Sequence, residues 1–550
     1  MKKNLTVWNL FSVVILAAFA LFIMYPIFLI LYRSVIHGDT GALTLQNFAH
    51  FFAKKFYWGT MVNSLRVTVV STILSAALGL PLAYLMRSVK IKGSSFLNIL
   101  IVISYLSPPF IGAYAWIQML GRQGVITQFL NDTFGLHYGG VYGFAGIVLV
   151  FTLQSFPLVY IYVSGALKNL DNSLNEAAES LGCSRMGRIW KIIVPLVMPT
   201  LLASSMLVFM RVFADFGTPM LIGEGYKTLP VLIYNQFMGE VSGDDGFAAA
   251  ICCIVIGLTI VMFFVQRFLA GRNTYAMTAL KPMAAESLGG LRNILAHLAV
   301  YMVVGLAILP QFVVVYTSFL ATNGGQVFTG GFALQSYDAT LFAKDNDVIW
   351  HTYFLGLCAI AAVLVLGVLI AYLSVRKRNI LNSILDVITM FPFIIPGSVL
   401  GIAFVFAFNK SPIILTGTAL IMIISFAVRR MPYTVRSSTA ILGNISPSIE
   451  EAAISLGASD MTTFRKITVP MMMPGVLSGA IMSWVTIISE LSSSIILYTN
   501  STQTLTVSIY TEVIRGNYGN ASAYATILTV TSILSLLLFY KVTGRRDVSV

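Results

Sequence analysis

Charged residues are scarce in this sequence. Only 10% of its 550 residues are Asp, Glu, Lys or Arg, whereas 57% are hydrophobic and the mean hydropathy is +0.85. Soluble domains contain about 25% charged residues, so this composition cannot cover the surfaces of three or four of them. It excludes a soluble protein and predicts an all-α polytopic membrane protein whose outer surface is mostly covered by lipid.

Cysteine and histidine are also scarce, and neither is spaced like a set of metal ligands. The four cysteines lie in or beside apolar segments, and the five histidines show no i, i+3 or i, i+4 pairing. No paired carboxylates occur at catalytic spacing within the apolar runs, which argues against a membrane-embedded enzyme. We therefore predict no disulfide framework, no metal site, no cofactor and no catalytic residues.

Basic residues are numerous but dispersed. The net charge is +13, yet the basic residues stand in small groups between apolar runs, which argues against a nucleic-acid partner and favours a role in membrane orientation. A spanning helix needs about 20 mostly apolar residues. Reading between the charges predicts twelve spans, near 5–32, 67–86, 93–121, 133–167, 192–210, 246–266, 293–320, 348–375, 387–409, 411–428, 467–489 and 516–540.

Alternate loops differ in basic content, and this difference predicts the orientation. The N-terminus, every second loop and the C-terminal tail hold 24 of the 34 Lys and Arg residues. The positive-inside rule places that side in the cytoplasm. With an even number of spans, both termini are expected in the cytoplasm of a bacterial cell, with the chain in its inner membrane. The first apolar run is too long for a cleaved signal peptide and reads as a span.

The sequence repeats itself with a constant offset of 275. Residues 176–195 and 451–470 match at 12 of 20 positions, which indicates a duplicated six-span unit. The predicted division is therefore a first span and outer loop (1–60), a first permease-like core (61–266), a cytoplasmic linker (267–292), a seventh span and outer loop (293–348), a second core (349–540) and a cytoplasmic tail (541–550).

The repeated segments lie between the fourth and fifth spans of each half. We name them loop A (residues 173–195) and loop B (residues 448–470). Ser173-x-x-Glu176 and Ser448-x-x-Glu451 have the spacing of a capping box, so each predicts the start of a short helix. Gly182 and Gly457 follow after about two turns, where helices commonly end. Each loop is thus predicted to be a helix, a glycine turn and a second helix.

The pattern E-A-A-x3-G-x9-I-x-x-P in both loops resembles the coupling loop of permease subunits in binding-protein-dependent ABC importers. A valine precedes the proline in both loops, where that family often has leucine. The resemblance implies the type I ABC importer permease fold, with the loops docking on a cytoplasmic ATPase. The residues it assigns to ATPase coupling are Glu176, Ala177, Ala178, Gly182, Pro195, Glu451, Ala452, Ala453, Gly457 and Pro470.

The sequence lacks a G-x4-G-K-[ST] phosphate loop and any extracytoplasmic segment long enough to capture a solute. The resemblance therefore implies partners: two ATP-binding cassette subunits on the cytoplasmic face and one extracytoplasmic solute-binding protein. Segments 211–219 and 489–495 look like the corresponding stretches of ferric iron importer permeases, which makes ferric iron the expected solute. Related permeases for thiamine, polyamines or aminoalkylphosphonates are the alternatives.

A secondary carrier of the major-facilitator type is the main rival, because twelve spans in two halves also describe that class. Such carriers typically show a Gly- and Arg-rich signature between spans two and three, whereas this chain reads RSVKIKG at 87–93. Few charges lie inside the predicted spans to couple a proton gradient. These features favour the ABC permease.

Asp215 and Glu490 are predicted to line the solute path. They are separated by the same offset of 275 and follow Pro195 and Pro470 by about 20 residues, or roughly 30 Å of helix, near the outer end of a span. Acids at such positions usually face a partner or a wet cavity. Asp215 has an alternative, a local ion pair with Arg211 one turn earlier. Glu490 has no such local partner, because Thr486 takes the place of Arg211.

Overall fold

A computed structural model describes residues 7–36, 41–135, 139–239, 245–271, 285–324, 327–342 and 347–543. Within these ranges the regular secondary structure is helical, apart from two small two-stranded antiparallel sheets. Half of the predicted linker, residues 240–244 and most of the predicted tail lie outside the described residues. The helical architecture confirms the predicted fold class.

The first half contains fourteen helices within the described residues. They are α1 Val7–Phe19, α2 Tyr25–Ser34, α3 Gln46–Ala53, α4 Lys55–Ser88, α5 Ser94–Leu106, α6 Pro109–Leu120, α7 Val125–Phe134, α8 Gly143–Lys168, α9 Ser173–Ser180, α10 Arg185–Arg188, α11 Val194–Ala214, α12 Gly217–Ile222, α13 Leu229–Met238 and α14 Asp245–Gly271, with π-helical turns at Ala20–Met24 and Ile189–Ile193.

The second half repeats this order and contains two β-hairpins in addition. Its elements are α15 Gly290–Ser318, β1 Leu320–Asn323, β2 Val327–Phe332, α16 Gln335–Leu341, α17 Val348–Arg376, α18 Ile380–Ile388, α19 Phe391–Ile394, α20 Gly397–Phe408, β3 Asn409–Lys410, β4 Ile413–Ile414, α21 Ala419–Asn444, α22 Ser448–Ser455, α23 Asp460–Thr463, α24 Val469–Ile488, α25 Ser494–Leu497, α26 Leu505–Arg515 and α27 Tyr518–Thr543, with a π-helical turn at Phe464–Thr468 and a 3₁₀ turn at Asn500–Thr502.

The number of apolar spans differs from the prediction. Among the described residues, nine helices are long and apolar enough to cross a membrane, and the count is eleven if each of two bent helix pairs crosses once. The bends are 100° after α5 and 111° before α20. The predicted span 411–428 is wrong in position, because a hairpin occupies its start and α21 begins at Ala419. Three arginines make α21 less apolar than its neighbours.

The two halves pack their central helices in the same way. A Cβ atom added at Gly79 in α4 would lie 2.7 Å from Val159 Cβ in α8, and one added at Gly367 in α17 would lie 2.9 Å from Thr434 Cγ2 in α21. Val159 and Thr434 are separated by the repeat offset. Glycine lets the two helix backbones approach closely, as small residues do in membrane interfaces. The duplication is therefore preserved in three dimensions.

The first span of each half packs against the other half. Trp8 in α1 lies 4.7 Å from the ring of Tyr372 in α17, and Ser12 Oγ donates a 2.6 Å hydrogen bond to Asn382 Oδ1 in α18. In return, Thr317 Oγ1 in α15 donates to Gln118 Oε1 in α6 at 3.2 Å. The two halves are thus interlocked, which the repeat alone did not predict.

Candidate functional site

Loops A and B have the predicted helix–turn–helix form, and each first helix ends in the same hydrogen-bonded glycine turn. The Gly182 N–H donates to Glu179 O at 2.8 Å and the Cys183 N–H to Ala178 O at 2.9 Å. In loop B the Gly457 N–H donates to Ile454 O at 2.9 Å, and the next N–H donates to Ala453 O. This is a Schellman motif. Gly182 and Gly457 have φ of +80° and +91°, a backbone region that favours glycine.

Each loop helix starts within one residue of its predicted start, but the predicted capping box is not what holds it. The helices begin at Ser173 and Ser448, yet the N-cap residues are Asn172 and Pro447, and neither makes a side-chain cap bond. The Glu176 N–H donates to Asn172 O at 3.0 Å, and the Glu176 carboxylate accepts from the Asn172 side chain. The backbone turn lies one residue earlier than the capping-box spacing implies.

The second loop helices are capped by serine side chains that were not predicted. Ser184 Oγ accepts the Gly187 N–H at 3.2 Å, and Ser459 Oγ accepts the Thr462 N–H at the same distance. Both serines stand directly before a short helix, which is the usual signal for an N-cap. Each second helix then passes through a π-helical turn to Pro195 or Pro470. Because proline has no N–H, it interrupts the regular bonding of the turn before it.

Both loops expose an apolar side chain directly before the glycine turn. Leu181 is 87% exposed and Leu456, its equivalent at the repeat offset, is 89% exposed. Glu176 and Glu451 are exposed on the same helices, as are Ala177 and Ala452, whereas Ala453 is buried. Two equally placed, exposed leucines beside acidic residues form a surface suited to a protein partner.

The loops are anchored differently to the membrane helices. In loop B, Arg376 Nε donates to Glu450 Oε1 at 2.9 Å, and both side chains are largely buried. Lys377 Nζ adds an ion pair with Asp460 at 3.0 Å. Loop A has no glutamate at the equivalent of Glu450, because Asn175 stands there. Loop B is therefore tied to the end of α17 by two ion pairs that its repeat partner does not share.

Asp215 lies directly after α11, at the end opposite loop A. Its Oδ1 atom accepts the Thr218 N–H at 2.9 Å and thus braces the turn that breaks the span. It also borders a small cavity with Ser64 and Thr228. The alternative of a local pair with Arg211 is not observed among the described residues. The Arg211 guanidinium instead lies 4.7 Å from the centre of the Tyr105 ring.

Glu490 braces the equivalent turn and accepts the Ser493 N–H at 3.2 Å. As expected from Thr486, the structure gives Glu490 no basic partner one turn earlier on its own helix, but it does give it two partners on another helix. Its two carboxylate oxygens accept hydrogen bonds from Arg429 Nη1 and Arg430 Nη2 of α21. The residue one turn before Glu490 is Thr486, which is not basic. The two arginines that bind Glu490 are about sixty residues away in sequence.

The broken ends of these two spans meet between the halves. A Cβ atom added at Gly217 would lie 3.0 Å from Leu491 Cδ2 and 2.9 Å from Phe110 Cβ. Phe216, the residue after Asp215, packs on Tyr510 of the second half at 6.0 Å. Asp215 and Glu490 therefore both adjoin the contact between the halves. Glu490 meets α21 about ten residues from its start, or roughly 15 Å along the helix, which is deeper than the predicted outer end.

The charged cluster has a neutral counterpart in the first half. At the repeat offset, Gln154 stands for Arg429 and Ser155 for Arg430. Gln154 Nε2 donates to Pro109 O at 2.8 Å. Two glycines give these side chains room: a Cβ atom at Gly112 would lie 1.8 Å from Gln154 Nε2, and one at Gly397 would lie 2.0 Å from Arg429 Nη1. The duplication thus conserves the space but not the charge.

No metal centre is found in the part of the chain that the structure describes, since no group of three or more His, Cys, Asp or Glu side chains is suitably placed. The features that remain are the two exposed loops at one end of the bundle and the charged cluster between the halves. The first suits a protein partner, and the second suits a small polar or charged solute.

Comparison with known proteins adds a family and several relatives. Residues 75–275 and 363–546 match the family described as "Binding-protein-dependent transport system inner membrane component". The ferric transport system permease protein FbpB of Actinobacillus pleuropneumoniae is 30% identical over 97% of this chain and 78% of its own length. A putative ferric transport system permease protein, FbpB 1, of Haemophilus influenzae is 30% identical over 90% of this chain and 78% of its own length. The Fe(3+)-transport system permease protein FbpB 2 of the same species is 25% identical over 87% of this chain and 89% of its own length.

Proposed function

This chain belongs to the family of binding-protein-dependent transport system inner membrane components, and from that premise we propose that it is the permease through which an ATP-driven importer passes ferric iron. The family match occurs twice, so one chain supplies both permease units. Ferric iron is proposed because three relatives named as ferric permeases are similar over most of the chain. Hydrolysis of ATP belongs to a separate subunit, since the sequence has no phosphate loop.

The observation that carries the coupling proposal is the matched exposure of Leu181 and Leu456. Two apolar side chains at equivalent positions, each directly after a short helix with an exposed glutamate, offer two equivalently placed docking points. We assign Glu176, Ala177, Ala178, Gly182 and Pro195 of loop A to one ATPase subunit. The equivalent residues Glu451, Ala452, Ala453, Gly457 and Pro470 of loop B are assigned to a second subunit.

The remaining partner is an extracytoplasmic binding protein that delivers the solute to the opposite face. Loops A and B then lie in the cytoplasm, as the distribution of basic residues predicts. Asp215 and Glu490 adjoin the contact between the halves, where a path along the axis of a duplicated bundle would run. We assign both acids to the solute path, where each also braces a broken span.

Ferric iron uptake with a disabled ATPase tests this proposal. The chain is expressed with its genomic neighbours in cells that lack other iron importers, and radioactive ferric iron is supplied. Replacement of the phosphate-loop lysine in the ATPase subunit should abolish uptake, while a proton uncoupler added under conditions that preserve ATP should leave uptake intact. Uptake that survives the lysine replacement and collapses with the uncoupler would instead favour a secondary carrier. ATP-dependent uptake of another solute would reject iron but keep the permease.

A further inference from the structure

The cluster of Arg429, Arg430 and Glu490 has more positive than negative charge. Both guanidinium groups bind the same carboxylate, so one positive charge remains without an anionic partner within the cluster. The opposite charges of Asp215 and Arg211, which lie nearby, cancel each other. They therefore leave the excess positive charge unchanged. An uncompensated charge inside a helix bundle is expensive. An arrangement of two arginines around one acid therefore favours the binding of an additional anion.

The hydrogen-bonding capacity of the two arginines is also incompletely used. A guanidinium group has five N–H donors. The Nε atoms of Arg429 and Arg430 are both buried, and neither has a hydrogen-bond partner among the described residues. Buried donors of charged groups are normally satisfied. The unfilled donors and the excess charge point to the same kind of ligand, a small oxyanion.

The accessible side of the cluster is cationic. The Glu490 side chain is only 2% exposed, whereas those of Arg429 and Arg430 are 11% and 18% exposed. A small ion that reaches this point therefore meets arginines before it meets the acid.

We propose that Arg429 and Arg430 form a binding site for one small oxyanion, which Glu490 occupies as an internal ligand in this conformation. An incoming phosphate-like or carboxylate-bearing group would share or replace the Glu490 carboxylate, because arginine binds both kinds of group through paired N–H donors. Gln154 and Ser155 at the equivalent positions are neutral, so the repeat does not place a second such pair of arginines in the first half.

Only the role of this site in transport rests on the proposed function; the binding of an oxyanion does not. If ferric iron passes this point, it does so with anionic ligands attached, and the bare cation is repelled. The solute path is then selective for an iron complex of low or negative charge, with Glu490 as the group that closes the site when no solute is present.

The test is equilibrium binding of radioactive inorganic phosphate to the purified full-length chain in lipid nanodiscs. We expect saturable binding of one phosphate per chain in the wild type. Arg430→Gln should weaken binding roughly 10-fold to 100-fold, because a hydrogen bond to a charged group is lost. Glu490→Gln should strengthen binding, because the internal competitor is removed. Arg436→Gln is the matched control on the same helix, since Arg436 faces Asp386 and is half exposed, and it should bind phosphate like the wild type.

Folding of each variant is checked by thermal unfolding, and Arg430→Lys replaces Arg430→Gln if the latter does not fold. Lysine keeps the charge but loses the paired donors, so binding weaker than wild type is expected there too. Wild-type chain without saturable binding, or equal binding by wild type and the Arg430 variant, would overturn the proposal. Weaker binding by a folded Glu490→Gln variant would also overturn it and leave the cluster as a structural ion pair. Failed iron uptake with intact phosphate binding would reject the solute and not the site.

Discussion

Leu491 of the second half packs directly against Gly217 of the first, at the point where both spans are broken. A Cβ atom at Gly217 would lie 3.0 Å from Leu491 Cδ2 and 2.9 Å from Phe110 Cβ, so glycine is required for this contact. Asp215 and Glu490 stand within two residues of it, one on each side. Movement of one half relative to the other therefore has to change the surroundings of both acids.

Gly217→Ala is expected to impair transport strongly. The added methyl group must displace Phe110 or Leu491, and such overpacking typically costs about 1–3 kcal/mol. Solute uptake at matched protein level is the measurement. Gly165→Ala in α8 is the control, because nothing lies within 4 Å of its added Cβ atom. Equal loss in both variants would show that the contact between Gly217 and Leu491 is not special.

Gly457→Ala should weaken association with the ATPase subunit. The positive φ of Gly457 costs an alanine about 1–2 kcal/mol, which would deform the turn beside Leu456. Asn tolerates this backbone region better, so Gly457→Asn should retain more binding than Gly457→Ala. The amount of ATPase that co-purifies with each variant is the measurement that ranks them. Gly443→Ala, at an open position with ordinary φ, should behave like the wild type.

Glu450 and Glu451 are neighbours with different predicted roles. Glu450→Gln breaks a largely buried ion pair with Arg376, which typically costs about 3–5 kcal/mol, so the midpoint of thermal unfolding should fall. Glu451 is exposed on the same helix, and Glu451→Gln should leave that midpoint unchanged while it reduces co-purification of the ATPase. The assignment of the two roles fails if Glu451→Gln is the more destabilising substitution.

The orientation can be tested with single cysteines in a Cys-free background. Gly289, Leu181 and Leu456 should be protected from an impermeant maleimide in intact cells, whereas Asn323 beside the β1–β2 turn should be labelled. All four positions are exposed in this chain, and Gly289 lies outside the proposed ATPase contact, so protection of Gly289 reports the side of the membrane rather than burial. Labelling of Gly289→Cys with none at Asn323→Cys would reverse the topology and reject cytoplasmic coupling.

Loops A and B were largely predictable because their determinants are local. Glycine after two helical turns, and proline at the start of the next helix, act within a few residues, and the repeat supplied a second example. The exact caps were less predictable: Ser173 and Ser448 have capping-box spacing, but the backbone turn formed one residue earlier. The serine caps at 184 and 459 were readable from the sequence and were missed.

The charged cluster could not be derived from the repeat. The offset of 275 pairs Glu490 with Asp215 and correctly identifies Thr486 in place of Arg211, but the actual partners of Glu490 come from another helix of the same half. Arg429 and Arg430 have neutral equivalents, so symmetry gave no signal for them. The interlocked first spans were equally hidden, because contacts such as Trp8 with Tyr372 join residues that the repeat does not relate.

The most direct test of the coupling assignment is solute-stimulated ATP hydrolysis by the purified permease, reassembled with its ATPase and binding protein in lipid nanodiscs. The wild type is compared with the Glu176→Ala/Glu451→Ala double variant at equal phospholipid and protein content. We predict that the double variant loses stimulation by the loaded binding protein and retains less ATPase on co-purification. Of the two single variants, one should show a larger defect than the other. Wild-type stimulation and wild-type co-purification in the double variant would contradict the assignment of these loops to energy coupling.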